Sequence, residues 1–131
     1  MNLVCKISML LVLLCGVFGF RSVNSYATDI WVARNSNSVD IYIMDDTIKY
    51  GVTSTGKWVS VSTKRVRNGQ LLEVGNIYYS KYKTDMWRYQ SNKMSNNSTV
   101  VIPKSNIFEY VMNTIGWEYV IRDKGYSSYY Y

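Results

Sequence analysis

The sequence contains no histidine, one proline and two cysteines. Both cysteines, Cys5 and Cys15, lie within the first 27 residues, so residues 28–131 contain neither cysteine nor histidine. This region therefore has no side chains for the common zinc sites, for disulfides, for a thiol nucleophile or for a catalytic triad with an imidazole base. We expect a protein without cofactor, metal or catalytic activity.

Long apolar runs are also scarce, and the clearest one lies near the N-terminus. Ile7–Phe20 is a mostly apolar stretch of 14 residues that ends at Arg21. A membrane-spanning helix needs about 20 apolar residues, so this length predicts a signal peptide rather than an anchor. Ser25-Tyr26-Ala27 has small residues at the two positions that signal peptidase recognises. We therefore expect residues 1–27 to be cleaved and the mature chain to start at Thr28.

Two alternatives exist for this leader. Cleavage after Val23-Asn24-Ser25 would also suit the peptidase. Cys15, followed by Gly16, would be the lipidated residue of a lipoprotein, although Leu14 lies where a lipidation motif has a small residue. We favour cleavage before Thr28, which predicts a domain that is secreted, periplasmic or associated with the cell surface, without stable membrane insertion.

Positive charge is in excess in the mature chain. Without Lys6 and Arg21, 13 basic and nine acidic residues remain, a net charge of +4. Many of the basic residues lie between positions 57 and 88: Lys57, Lys64, Arg65, Arg67, Lys81, Lys83 and Arg88. They either contact an anionic glycan, teichoic acid, lipid headgroups or an acidic protein, or form a solvated face of a sheet, which is the simpler interpretation. Nucleic acid is not an expected partner of an exported chain.

Alternating apolar and polar residues predict strands through most of the mature chain. The predicted strands are Asp29–Arg34, Val39–Met44, Ile48–Val52, Lys57–Arg67, Gln70–Val74, Ile77–Lys83 and Met86–Gln90. Turn-forming residues separate the first strands at Asn35–Ser38 and at Asp45–Thr47. Gly75-Asn76 predicts a bulge or a second turn, and the polar stretch Ser91–Ser98 predicts a loop.

Lys57–Arg67 is the clearest of these strands. Its side chains fall into two alternating sets, which are Val59, Val61 and Thr63 on one face and Ser60, Ser62 and Lys64 on the other. This pattern is typical of a sheet with one buried and one solvated face. Asn68-Gly69 follows directly and is the strongest short hairpin signal in the sequence, so we expect the chain to return from Gln70.

One helix is predicted after Pro103. Asn106 precedes Glu109 by three residues, the spacing of a reciprocal N-terminal cap, and Gly116 is placed to end the helix in a left-handed conformation. The apolar residues between these ends share one face, and they are Ile107, Phe108, Val111, Met112 and Ile115. A helix of about ten residues is not stable alone, so this face should pack on the sheet.

Aromatic residues are abundant: they make up 17 of the 104 mature residues, and twelve of them are tyrosines. Tyr78-Tyr79 and Tyr82 alternate with lysines on one predicted strand, so rings lie on both of its faces and at least one face should be exposed. Trp87 and Tyr89 share a face if Met86–Gln90 is a strand. Such rings either fill the core or form an exposed aromatic and basic surface.

The C-terminal segment allows several interpretations. Trp117–Ile121 forms either a last strand or a contact with the end of the helix. The tyrosine-rich tail Gly125–Tyr131 is a frayed terminus, an exposed adhesive patch or an edge strand.

Acidic residues offer few arrangements for chemistry. Asp45-Asp46 is the only adjacent pair, and a calcium loop would need several more spaced oxygen ligands. A glycosidase-like pair of Asp40 with Glu73 or Glu118 has no supporting spacing. A hydrolase that uses carboxylates alone is nevertheless kept as a third hypothesis. Asn96–Thr99 carries two overlapping glycosylation patterns, which matter only in a eukaryotic secretory route, and we interpret it as part of a loop.

Several of these features occur in a characteristic order. They are Trp31 in the first strand, Tyr42 before the turn at Asp45–Ile48, the alternating strand Trp58–Val66, Trp87-Arg88-Tyr89, and Ile102-Pro103-Lys104-Ser105 before the helix. In this order the chain resembles the surface-adhesin protein E family of small exported bacterial proteins, over Asp29–Ile115. The resemblance implies an antiparallel sheet with a C-terminal helix, and adhesion to host matrix or serum proteins. Many members of that family are lipidated or carry a cysteine pair, and this chain departs from both patterns.

Together these observations predict one α+β domain over residues 28–131, with an antiparallel β-sheet of five to six strands and one C-terminal helix packed on it. We expect a binding or adhesion module that contacts an extracellular protein through a basic, tyrosine-rich sheet face. The residues of that face are Arg65, Tyr79, Lys81, Lys83 and Arg88. The alternative is a carbohydrate or cell-wall glycan binding module that stacks sugars on Trp87 and Tyr89. The oligomeric state stays open.

Overall fold

The computed structural model describes residues 28–93 and 97–131. The predicted signal peptide and part of the predicted Ser91–Ser98 loop lie outside these ranges. Within them the strands are β1 (Asp29–Arg34), β2 (Asp40–Val52), β3 (Gly56–Arg67), β4 (Gln70–Tyr82), β5 (Arg88–Ser91), β6 (Thr99–Val100), β7 (Ile121–Lys124) and β8 (Ser127–Tyr130), and the helix is α1 (Asn106–Ile115). No helix in the described ranges is long and apolar enough to span a membrane.

The first six strands form one antiparallel sheet in which each strand pairs with its sequence neighbours. β7 and β8 pair antiparallel in a separate two-stranded sheet. The prediction of a mostly antiparallel α+β fold is therefore confirmed. The helix is not the last element, because the β7–β8 hairpin follows it.

The predicted β3–β4 hairpin is confirmed at its turn and in its alternation. Asn68 and Gly69 have φ angles of 50° and 76°, as a two-residue turn with two left-handed positions requires. Val59, Val61 and Thr63 are buried, whereas the residues between them are partly exposed. One face of the sheet therefore enters the core and the other meets solvent.

The predicted turn at Asp45–Thr47 is wrong, because β2 continues through it. Met44 pairs with Ser62 and Lys49 with Ser60, so four residues of β2 lie opposite a single residue of β3. The Thr47 hydroxyl donates to the Met44 carbonyl at 2.6 Å and accepts from the Ser62 backbone N–H at 2.8 Å. This side chain replaces hydrogen bonds that the irregular ladder cannot make.

The predicted bulge or turn at Gly75-Asn76 is also wrong. Both residues pair in regular register with β3. The irregularity lies closer to the hairpin, where Leu71 pairs with Val66 and Glu73 pairs with Arg65, so Leu72 is the extra residue. A single long strand, β4, therefore replaces the two predicted segments.

The helix has the predicted length and the predicted buried face. Phe108, Val111 and Met112 are fully buried in one cluster with residues of β2, β3 and β4. The predicted cap is one residue off: the Ser105 hydroxyl accepts from the Phe108 N–H at 3.3 Å, while the Asn106 amide donates to the Val32 carbonyl at 2.9 Å. The left-handed Gly116 at the other end is confirmed, with φ of 72°.

The C-terminal tail is paired, so the interpretation as a frayed terminus is wrong. Tyr130 is fully buried. Its hydroxyl accepts from the Ser105 N–H at 3.0 Å and donates to Glu109 at 2.5 Å, and its carbonyl accepts from the Trp87 N–H at 2.9 Å. The last hairpin is thereby fastened to both the helix and the segment before β5. Trp117 does not lie in a strand, and it packs against the core.

Candidate functional site

The six-stranded sheet has a covered face and an outer face. In β3 and β4 the odd-numbered residues near the core lie on the covered face, and the even-numbered residues lie on the outer face. In β3 and β4, the buried residues Val59, Val61 and Tyr79 lie on the covered face, beneath the helix and the last hairpin. Trp58 and Tyr78 occupy the intervening positions and therefore lie on the outer face. Along the buried residues of β3 and β4, surface recognition has to use this outer face, because the covered face forms the core there.

Two residues of the predicted binding surface are in the core. Tyr79 is 3% exposed and Trp87 is 2% exposed. Burial raises the pKa of the Tyr79 hydroxyl, which is further evidence of its dry surroundings. Tyr89 pairs with Tyr79 across β4 and β5, shares its face and packs against the core. The predicted pairing of Trp87 and Tyr89 as an exposed stacking surface is therefore wrong.

The predicted basic residues do not form one surface either. Arg65 lies at one end of β3 and makes an ion pair with Glu73 at 2.8 Å. Lys81 lies on the covered side of β4, directly opposite Lys57. Lys83 is exposed just after β4, with its Nζ 5.4 Å from the centre of the Tyr82 ring.

Arg88 is the one predicted cation that lies on the outer face of the sheet, because it pairs with Ser80 across β4 and β5. Its Nε is 4.0 Å from a carboxylate oxygen of Asp85, and both side chains are more than 40% exposed. A loose, exposed pair of this kind contributes little to stability, so the guanidinium stays available to a partner.

The outer face instead presents a different aromatic set, which we call the aromatic patch: Trp58, Tyr78 and Tyr82. The Trp58 and Tyr78 rings are stacked, with centroids 5.9 Å apart and planes 18° from parallel. Tyr78 is 41% exposed and Tyr82 is 58% exposed. The patch lies where β3 and β4 meet the turn that joins β2 to β3.

Gly51 holds the indole of Trp58 in place from the neighbouring strand. Trp58 pairs with Gly51 across β2 and β3. A Cβ atom on Gly51 would lie 2.8 Å from the indole Nε1, so a larger residue would displace the ring. Trp58 is thus packed over Gly51 and against the Tyr78 ring, and these contacts restrict its conformation.

The aromatic patch borders an open groove of about 340 Å³. Beside the three rings, the groove is lined by the hydroxyl-bearing residues Thr53, Thr55 and Ser80, by Gly56, and by two lysines, Lys57 and Lys81. Thr53 and Thr55 are 3.2 Å apart through their hydroxyl oxygens, in the turn before β3. The groove therefore combines apolar ring surface with hydrogen-bonding groups, as ligand sites generally do.

In the described part of the chain, no acidic residue lines this groove, and the acidic residues considered as candidate catalytic groups lie elsewhere. Asp45 and Asp46 belong to the irregular part of β2, and Asp46 borders a separate polar depression. In the described ranges, no group of three or more acidic residues is placed to share a metal ion. Asp40 accepts hydrogen bonds from Arg34 and Trp31, and these lower the pKa of its carboxyl to about 2.

The sequence-based prediction selected two buried aromatic residues, Tyr79 and Trp87, for the binding surface. It chose Tyr79 where Tyr78 is exposed, because a tyrosine pair gives no sign of which ring faces the core. A usable signal was present: Val59 and Val61 were assigned to the buried face, which places Trp58 on the other. The Asn68-Gly69 turn then sets the register that brings Trp58 beside Tyr78.

In comparisons with known proteins, no family model, no curated protein and no solved structure matches this chain. The resemblance to the protein E adhesins stays a prediction.

Proposed function

We propose that the mature chain is an exported, non-catalytic binding module that contacts an extracellular protein through the outer face of its six-stranded sheet. The observation that carries this proposal is the aromatic patch, in which Trp58 is packed over Gly51 and stacked on Tyr78. Exposed rings that are already rigid lose little entropy on binding, and for this reason tryptophan and tyrosine dominate the energetics of protein interfaces.

The charge around the aromatic patch supports an acidic protein as the partner. Lys49 and Arg88 lie on the outer face of the sheet on either side of the patch, and Lys83 follows Tyr82 directly. A hydrophobic centre surrounded by a polar, charged rim is the usual arrangement of a protein interface. Such rim charges act mainly by speeding association, so the affinity should fall as salt rises.

The test is binding of the purified protein and its Trp58→Ala variant to immobilised laminin, fibronectin and collagen. Loss of a central aromatic residue typically costs about 2 kcal/mol, so we expect an affinity reduction of roughly thirtyfold. Tyr126→Ala is the matched control, because Tyr126 is a fully exposed aromatic residue in the β7–β8 turn and does not line the groove. This control should bind like the wild type.

Circular dichroism and thermal melting of each variant show whether it is folded, and Trp58→Phe retains an aromatic ring if Trp58→Ala is unstable. The proposal is contradicted if a folded Trp58→Ala variant binds a matrix protein as tightly as the wild type does. Equal losses in Trp58→Ala and Tyr126→Ala would also contradict it.

A second candidate is a module that binds a neutral glycan in the same groove. The hydroxyl groups of Thr53, Thr55 and Ser80 beside the rings favour this alternative, because sugars combine apolar faces with many hydroxyls. Titration with cellohexaose and chitohexaose, at 50 and 500 mM salt, separates the candidates. Sugar binding that is insensitive to salt and lost in Trp58→Ala would favour the glycan, whereas salt-sensitive protein capture favours the first proposal.

A further inference from the structure

Several positively charged side chains of the sheet and its loops face a carboxylate. Arg34 contacts Asp40 at 2.8 Å and Lys64 contacts Asp29 at 2.7 Å. Glu73 receives both Arg65, at 2.8 Å, and Lys93, at 3.6 Å. In each case an acidic group compensates the charge of its neighbours.

Other cations make no ion pair within the described ranges, and three of these form what we call the basic cluster: Lys57, Lys81 and Arg122. Lys57 and Lys81 are directly opposite each other in the β3–β4 register, and they lie on the covered side of the sheet. Arg122 comes from β7 and acts electrostatically on Lys81. In the described ranges, no member of the cluster makes an ion pair with a carboxylate. Like charges directly opposite each other in a sheet are unfavourable. The two lysines have no ion-paired carboxylate to offset this repulsion.

Aromatic rings orient two members of the basic cluster. The Nζ of Lys57 is 5.1 Å from the centre of the Trp117 ring, and the guanidinium carbon of Arg122 is 5.5 Å from the centre of the Tyr131 ring. Trp117 is itself held by an edge contact with Tyr50, at 5.5 Å between centroids. These cation–π contacts restrict the two side chains while leaving their N–H groups able to donate to an anion.

Lys81 lies at the least favourable position in the cluster. Partial burial, followed by the charges of Lys57 and Arg122, lowers the pKa of its ammonium group. Asp85 acts in the opposite direction, and this effect is the smallest of the four. An anion placed among the three cations would remove this repulsion.

We propose that Lys57, Lys81 and Arg122 form a binding site for a phosphate or sulfate group. The guanidinium supplies a fork of donors suited to two oxygens of a tetrahedral anion, and the two ammonium groups supply compact charges. The anion site differs from the aromatic patch in its chemistry and in taking Arg122 from β7, although Lys57 and Lys81 also line the groove that the patch borders. The anion site goes beyond the proposed protein contact, and the proposal of an anion site does not depend on that contact.

The test is a titration of the purified protein with inorganic phosphate and with inorganic sulfate. Isothermal calorimetry measures the binding, and NMR amide shifts show which residues respond. Sodium chloride at matched ionic strength corrects for general screening. We expect saturable binding, with shifts concentrated at residues 57, 81 and 122. Lys81→Met and Arg122→Met should each weaken it at least tenfold, whereas Lys49→Met, the same charge change on the outer face, should leave it unchanged.

A second readout separates a binding role from a structural one. Without phosphate or sulfate, Lys81→Met removes a repelling charge, so its melting temperature should equal or exceed that of the wild type. With the anion present, the wild type should be stabilised and Lys81→Met should not. Lys81→Arg keeps the charge and should retain binding.

Two further ligands identify the source of the anion: glycerol 3-phosphate represents phosphate polymers, and a sulfated disaccharide represents sulfated glycans. Preferential binding of either one supports the proposal and assigns the source. The proposal is overturned if phosphate and sulfate give no saturable response, or if Lys49→Met and Lys81→Met reduce binding equally. Trp58→Ala, which tests the outer face, should bind both inorganic anions like the wild type.

Discussion

The two faces of the six-stranded sheet are both rich in aromatic side chains, yet they use them in opposite ways. On the covered face, Phe108 is surrounded by rings, with centroids 4.4 Å from Tyr130, 5.3 Å from Tyr79 and 5.5 Å from Trp87. On the outer face, Trp58 and Tyr78 stack on each other, with Tyr78 exposed and Trp58 partly exposed. Composition therefore does not separate packing from recognition in this protein.

The neighbouring residues Tyr78 and Tyr79 show this contrast most clearly. They have the same side chain on the same strand, but one is 41% exposed and the other 3%. Only the pleat of the strand distinguishes them, because successive side chains point to opposite faces. A one-residue change of register would exchange their roles.

The largest expected difference between the faces lies in stability. Phe108→Ala removes the centre of the buried aromatic cluster and should lower the free energy of unfolding by about 3–5 kcal/mol. Tyr78→Ala removes an exposed ring with one stacking partner, so its loss should be about 1 kcal/mol. Urea denaturation of both variants measures the difference. Equal losses would show that the outer rings contribute to the fold as strongly as the core does.

A smaller effect tests how the last hairpin completes the covered face. Tyr130→Phe keeps the ring but removes the hydroxyl that joins the Ser105 N–H to Glu109. Because both partners are then left without this contact in a largely dry site, unfolding should become easier by about 1–3 kcal/mol. Tyr129→Phe, at the adjacent position, is the control and should change stability by less than about 0.5 kcal/mol. Thermal denaturation that fails to distinguish the two variants would contradict this role.

The smallest effect concerns β1 and β2, at one edge of the sheet, and the dependence of stability on pH. The pKa of Asp40 lies at about 2 instead of near 3.8, since Arg34 and Trp31 bind its charged form. A lowered pKa stabilises the folded state fully above about pH 4, and this contribution is lost as the pH falls towards 2. Melting temperatures between pH 5 and 2 should therefore fall less steeply in Asp40→Asn and in Arg34→Gln than in the wild type. Identical slopes would show that the pair does not couple to folding.

Local sequence patterns predicted much of the fold. The alternation in β3, the Asn68-Gly69 turn and the apolar face of the helix are all properties of residues within a few positions of one another. The turn expected at Asp45–Thr47 failed for a long-range reason, since Thr47 is stabilised in the strand by a hydrogen bond from Ser62 on β3. The helix cap failed similarly, because Asn106 binds β1 through Val32 instead of closing its own helix.

The candidate sites were less predictable than the fold. The sequence indicated an exposed surface of aromatic and basic residues, but assigned Tyr79 and Trp87 to it in place of Tyr78 and Trp58. The basic cluster was not recognisable at all, because Arg122 lies in a hairpin whose pairing was one of several open alternatives. The hairpin that carries Arg122 is anchored at its other strand, where Tyr130 is bonded to Ser105 and Glu109.

The sequence by itself determined the antiparallel strands, the helix and the chemical character of the surface, because these follow from short-range periodicity and turn chemistry. The tertiary structure decided that Tyr78 and not Tyr79 meets solvent, and that the charge of Arg122 acts on Lys81 beside Lys57. Those outcomes depend on register and on contacts between distant segments. They are set by the packing of the whole core around Phe108, and no local pattern contains that information.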